Sequence, residues 1–286
     1  MPNYKVVDAD VLDADLSAIG NAIRSKTGTS ELLTLDAMPT AIEGIETGGG
    51  GDTSMEDALV TRTITEYTNA RVESVGAYAF YKDNALQSVS MRDCKLIGNY
   101  AFSESTKLQT ANFPNAETIN QYAFSKNTSL LEVSIPKAKQ LGNYAFRECT
   151  KLTTVDAEAV TNMHNSVFNG CKALQYIRLP NLTNNNLGSS NFSDCTSLHT
   201  ADLGYVQTNF FSGCTNLTTL ILRSATLVNL ASTNTFTKTP FAEGGTGGVV
   251  YCPSALIEQY QQATNWSTLY AAGTCTFLPI EGSEYE

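Results

Sequence analysis

Basic charge is scarce in this chain of 286 residues: 18 Lys and Arg stand against 28 Asp and Glu, a formal net charge of -10. Neutralisation of phosphates by Lys and Arg dominates nucleic-acid affinity, so no nucleic-acid partner is expected, nor docking on anionic lipid. No apolar run approaches the roughly 20 residues of a membrane span, which argues against membrane insertion. The opening stretch MPNYKVVDADVLDADLSAIG lacks the basic patch and apolar segment of a secretory signal, so cytoplasmic synthesis and assembly is expected. Histidine occurs only as His164 and His199, in different phases of the repeat described below. No GxSxG, HExxH or P-loop pattern occurs. The seven cysteines form neither a CxxC pair nor a short disulfide framework, and a reduced compartment is the simpler reading. Catalysis, a metal and a cofactor are therefore not expected.

What the chain has is repetition. Aligned on a Phe followed six residues later by a Leu, seven pairs appear: Phe80/Leu86, Phe102/Leu108, Phe124/Leu130, Phe146/Leu152, Phe168/Leu174, Phe192/Leu198 and Phe211/Leu217. Successive Phe spacings are 22, 22, 22, 22, 24 and 19, by subtraction. A period in the twenties sustained this far predicts a solenoid. Three and five residues past the Leu come apolar residues, such as Val89 and Met91, Val133 and Ile135, Ile177 and Leu179. That alternation makes a short strand with one buried face. Pro114, Pro136 and Pro180 stop several strands, and a second cluster such as Ile97, Ala101 and Phe102 returns the chain through a turn at Gly98 or Gly142. Stacked coils set like strands side by side as a parallel sheet.

No coil buries its core alone, so both ends need caps. Val60 to Ile64 reads as a first strand and Val249 to Tyr251 as a last one, with a helix start at Pro253-Ser254. Ahead of the repeats, Leu16, Ile19 and Ile23 form one amphipathic stripe, and Leu35, Met38, Ile42 and Ile45 a second. Gly48 to Gly51 is a flexible linker. The expected organisation is a helical attachment segment at 1-47, a Gly-rich linker at 48-54, about seven coils at 55-252 and a C-terminal cap at 253-286.

The strand phase sorts the candidate site residues. Positions two and four past the Leu face outward, and among them Thr154, Asp156, Tyr176, Arg178, Thr200 and Asp202 are the expected ligand-binding group. Tyr176 and Arg178 are of the types enriched at interface hot spots. Tyr78, Tyr100, Tyr122 and Tyr144 lie two residues before the Phe of four consecutive coils; such a ladder either packs at the turn or offers aromatic contacts to a ligand. Cys149, Cys171, Cys195 and Cys214 recur three past the Phe, where parallel placement suits neither a tetrahedral zinc site nor a strain-free disulfide, so structural thiols are expected. Cys252 with Cys275 is the one candidate disulfide. Glu132, Asp156 and Asp202 imitate a glycosidase carboxylate pair, but periodic placement explains their alignment better.

The units YAFSESTKLQTANFP and YAFRECTKLTTV resemble the BspA-type leucine-rich repeats of bacteria, and YCPSALIEQYQQATNWSTLY is similar to the segment that follows such repeats. The resemblance covers roughly residues 60 to 280. It implies a leucine-rich repeat solenoid that binds macromolecules, often at cell surfaces, without shared catalytic residues. The stretch LSAIGNAIRSKTGTSELLTLDAMPTAIEGI resembles a segment of tail or baseplate-associated proteins of phages infecting Firmicutes. Together these imply a non-enzymatic protein that recognises a bacterial cell-surface protein or glycan from a virion tail. The alternative is a BspA-like adhesin at the bacterial surface. Residues 13-46 would supply a tail-assembly contact or a homo-oligomer contact.

Overall fold

The computed structural model describes residues 64-183 and 187-286. The expected N-terminal helices, the expected linker and positions 60-63 of the expected first strand lie outside the described residues. The first described strand is β1, Glu66–Thr68.

From β1 the chain winds as a parallel solenoid of about seven turns. Each of the first coils lays down one three-residue strand and one two-residue strand. The longer strands are β1, β3 (Ser88–Ser90), β5 (Thr110–Asn112), β7 (Glu132–Ser134) and β9 (Thr154–Asp156), hydrogen-bonded in that order. The shorter ones are β2 (Ser74–Val75), β4 (Leu96–Ile97), β6 (Thr118–Ile119), β8 (Gln140–Leu141) and β10 (Asn162–Met163), forming a second sheet. Register follows the period: Ser88 lies opposite Thr110 and Thr110 opposite Glu132. A third sheet holds β11 (Tyr176–Leu179), β12 (Thr200–Leu203), β13 (Thr219–Leu222), β14 (Gly248–Cys252) and β15 (Cys275–Pro279).

The third side of each coil is the turn around YAF. Tyr78, Tyr100, Tyr122 and Tyr144 sit there with φ between 56° and 62°, and Lys82, Glu104, Lys126 and Glu148 with φ between 56° and 61°. Left-handed backbone costs a non-glycine residue about 1–2 kcal/mol. An inter-coil ladder offsets it: Tyr100, Phe102 and Glu104 N–H donate to the carbonyls of Gln121, Ala123 and Ser125 at 3.0, 2.7 and 2.8 Å. Gly142 enters this turn because a Cβ there would meet the Asn120 carbonyl carbon at 2.6 Å.

Side chains repeat with the backbone. Phe80, Phe102, Phe124, Phe146, Phe168 and Phe192 form one buried column, ring centroids 4.9 to 5.5 Å apart and planes within 6° of parallel. The column runs on through Phe211 to Phe236, which lies beyond the last Phe/Leu pair of the sequence alignment. The spacing follows the roughly 4.8 Å separation of neighbouring strands.

In five coils the slot three past the Phe also has a physical reason. Ser105 Oγ donates to the Phe80 carbonyl at 2.6 Å, and the thiols of Cys149, Cys171, Cys195 and Cys214 donate to the carbonyls of Phe124, Phe146, Phe168 and Phe192 at 2.9 to 3.2 Å. A small donor there satisfies a buried carbonyl of the preceding coil. Burial pushes the Cys149 thiol up to about 12.

The C-terminal end closes over the last coil. Between β14 and β15 run α1 (Ile257–Gln262) and α2 (Trp266–Ala271). The indole of buried Trp266 donates to the Val228 carbonyl at 2.8 Å, and Val228 N–H donates to the Tyr260 hydroxyl at 3.1 Å. Val249 to Tyr251 is a strand but not the last one, since β15 pairs outside it. That register bears on the candidate disulfide. Cys275 lies opposite Gly248 and Cys252 opposite Pro279, four residues out of register, or about 13 Å along a strand. A disulfide needs Cα atoms roughly 4.4–6.8 Å apart, and both thiols are free and buried.

Candidate binding site

Among the described residues the long-strand side of the solenoid is interrupted once. The carbonyl of Gln87 accepts from Gln109 N–H at 2.7 Å, and that of Leu131 from Thr153 N–H at 2.9 Å, but no such bond joins the next coil. It resumes with His199 N–H to the Gln175 carbonyl at 3.0 Å. Among the described residues β9 and β11 lie side by side without hydrogen-bonding, which is why the strands divide into separate sheets. The turn ladder stays intact here, with Phe146 N–H on the Val167 carbonyl at 2.9 Å. On the short-strand side, Thr183 N–H donates to the Thr161 carbonyl at 3.1 Å. The two coils are thus joined on two sides and parted on the third.

The parting is a cleft of about 360 Å³ lined by Thr153, Thr154, Val155, Asp156, Glu158, Tyr176 and Arg178. Val155 confirms the opening. Its equivalents Val89, Ala111, Val133 and Ile177 are buried, whereas Val155 is half-buried. Two departures from the repeat meet here. Ala157 stands where neighbouring coils carry Ile135 and Leu179, so β9 has less apolar surface to share with β11. Glu158 stands where Pro114, Pro136 and Pro180 end other strands.

Around the cleft the charges are partnered unevenly. Arg178 Nη1 donates to Glu158 Oε1 and Arg178 Nε to Asp202 Oδ2 at 3.2 Å. Arg223 Nε binds both Asp202 oxygens, at 2.8 and 3.0 Å. The Arg178 pKa is raised: partial burial opposes its charge, but the carboxylates of Glu158 and Asp202 outweigh that. Tyr176 is 43% exposed, and its phenol is raised by partial burial and then by the Asp202 charge. Asp156 accepts from Ser134 Oγ at 3.0 Å through Oδ2. Among the described residues its Oδ1, the second oxygen of Glu158 and the Tyr176 hydroxyl have no hydrogen-bond partner.

The structure sorts the expected site residues. Thr154, Asp156, Tyr176 and Arg178 come together at the cleft. Thr200 and Asp202 do not join them at the surface: both are buried, Asp202 at 1% exposure. The correction has a cause beyond strand phase. Two arginines close over Asp202, and the chain's last residues lie on the same face, with Arg223 Nη2 donating to the Tyr285 carbonyl at 2.6 Å and Tyr285 against Tyr251 at 4.8 Å. Ile221, outward in phase, is buried as well. Tyr100, Tyr122 and Tyr144 stand away from the cleft at the turn, half-buried, stacked with Tyr78 at 4.7 to 4.9 Å. Their faces are occupied by one another, so the ladder offers ring edges and hydroxyls.

Sequence reasoning passed over Thr153, Val155 and Glu158, and Arg223 and Tyr285 behind them. The missing proline at 158 was the available signal. His164 follows β10 and faces Gln140, while His199 precedes β12 and contacts Thr200. Among the described residues no group of three His, Cys, Asp or Glu is placed to hold a metal ion, and no helix is long and apolar enough to cross a membrane.

Short parallel strands on one side, a stacked Phe column within and a cap at the end define a leucine-rich repeat solenoid. The chain belongs to the BspA type leucine rich repeat family, whose model matches six copies across residues 61-156 and 117-242, well over half its length. No curated protein matches it. Among solved structures it is similar to a leucine rich repeat protein of T. pallidum, at 22% identity over 55% of this chain and 68% of that one, TM-score 0.40. It is also similar to the pneumococcal vaccine antigen PcpA, at 15% identity over 74% and 65%, TM-score 0.44. A third is a leucine rich cell surface protein of Faecalibacterium prausnitzii, at 16% identity over 74% and 70%, TM-score 0.34. With every TM-score below 0.5, the family assignment rests on the repeat units themselves.

Proposed function

We propose that the chain is a non-enzymatic binding or adhesion module whose coils carry one recognition site toward a bacterial cell-surface protein or glycan. The observation that carries this is the parted seam between β9 and β11, where exposed Tyr176 stands beside Asp156, Glu158 and Arg178 on an otherwise regular scaffold. Family membership supports it, since BspA-type repeats are associated with cell surfaces and binding. Binding of the full chain to bacterial cells, surface proteins and cell-wall glycans, compared with Tyr176→Ala, tests it. Binding should fall at least about tenfold, as loss of an aromatic hot spot does. Unchanged binding would remove the site. Turnover of a glycan that vanished in Asp156→Ala would replace the binding reading with an enzymatic one. The finer placement on a virion tail rests on residues 13-46. It predicts that a fusion of residues 1-47 associates with tail components or with itself, and a fusion that stays monomeric and unbound removes it.

A further inference from the structure

We propose that the cleft between β9 and β11 receives a lysine or arginine side chain from a basic segment of a protein partner. This rests on the binding site proposed above and names its ligand chemistry. The cleft's own cation is spent, because Arg178 is held by Glu158 on one side and Asp202 on the other. Its anions are not: among the described residues Asp156 and Glu158 each keep one oxygen without a partner, beside the exposed ring of Tyr176. An aromatic face flanked by carboxylates is the arrangement that attracts an ammonium or guanidinium. The whole chain, at a net charge of -10, reinforces it by drawing cations to the site over a distance of about 10 Å at moderate salt.

The opened backbone adds an acceptor. Among the described residues the Thr153 carbonyl, at the cleft, has no partner, where the carbonyls of Gln87 and Leu131 accept from the next coil. A main-chain N–H of the docking segment can donate to it. The volume of about 360 Å³ admits a side chain and its flanking amide, near the lower limit of about 300 Å³ for small-ligand sites.

The experiment uses the full chain with a short arginine-rich peptide and the same peptide carrying citrulline, followed by fluorescence anisotropy at low and moderate salt. The arginine peptide should bind at least about tenfold tighter than its citrulline counterpart and weaken as salt rises. Asp156→Asn and Tyr176→Ala should each weaken it about fivefold or more, while Glu117→Gln, an equal charge change on the short-strand side, should leave it unchanged. Equal binding of the citrulline peptide, or equal weakening by Glu117→Gln, would overturn the proposal. A neutral cell-wall oligosaccharide that binds in place of the peptide and is lost in Tyr176→Ala would also overturn it, while leaving the site standing. If Tyr176→Ala changes the binding of neither ligand, both readings fail.

Discussion

Replacing Phe146 with alanine removes a ring that is fully buried in the middle of the column, stacked on Phe124 at 5.2 Å and on Phe168 at 5.3 Å. Deleting a buried Phe costs about 3–5 kcal/mol, the spread reflecting how far the site collapses. Collapse is restricted here, because the Phe146 N–H is held by the Val167 carbonyl and the Phe146 carbonyl by the Cys171 thiol. Two aromatic contacts are lost as well, each worth about 0.5–1.5 kcal/mol beyond area. The expected loss is therefore near the upper end, about 4–5 kcal/mol. With a urea dependence of roughly 2–3 kcal/mol per M for a domain of this size, the midpoint should fall by about 1.5–2.5 M. Because each coil contacts only its neighbours, the variant should also unfold in two steps, since the array is weakened at its centre. Tyr144→Ala, two residues away but half-buried, should cost about 1–2 kcal/mol from the loss of one stack and cation–π contact with Arg147. If Phe146→Ala lost less than about 1 kcal/mol, or no more than Tyr144→Ala, the assignment of inward and outward columns would be wrong.

Three further outcomes are expected. Tyr176→Ala should leave the unfolding free energy from the urea melt unchanged to within about 0.5 kcal/mol, since its side chain is exposed, and a larger loss would mean the ring holds the seam together. Asp202→Ala leaves two guanidiniums without their shared carboxylate; allowing for their partial exposure, the cost should be about 2–4 kcal/mol in the same melt, and a neutral effect would mean the cluster contributes nothing. The buried Cys149 thiol, pushed up to about 12 from 9.0, binds its proton more tightly folded than unfolded. Its contribution is therefore fully present below pH 9 and is lost as pH rises toward 12, at about 1.4 kcal/mol per pH unit. Cys149→Ala should flatten that decline, and a thiol reagent at pH 8 should leave Cys149 unmodified until the protein unfolds.

The coil was legible in the residues because its period is enforced. A Phe, a Leu and two alternating apolar positions must recur for stacked coils to share one core, so the inward face of β3, β5 and β7 follows from spacing alone. The reason for the small donor that five coils carry three past the Phe was not visible. Ser105 and Cys149 look unrelated until both are found donating to the Phe carbonyl of the coil before. The left-handed backbone at four tyrosines was equally hidden, because tyrosine has no preference for it and the inter-coil ladder imposes it. The candidate site was half legible. Tyr176 and Arg178 stood out as departures from small polar residues, but nothing in the spacing said that β9 and β11 part.

By itself, then, the sequence determined the repeat, the buried columns, the acidic balance and the family. Periodicity alone forces those, since identical units can bury their faces only against one another. Tertiary structure decided where the array departs from its own rule. A strand phase places Asp202 outward, yet two arginines and the last residues of the chain enclose it. The same phase turns Val155 inward, yet an unpaired seam half-exposes it. Side-chain direction is a local property of a strand; burial depends on what the rest of the chain lays across it.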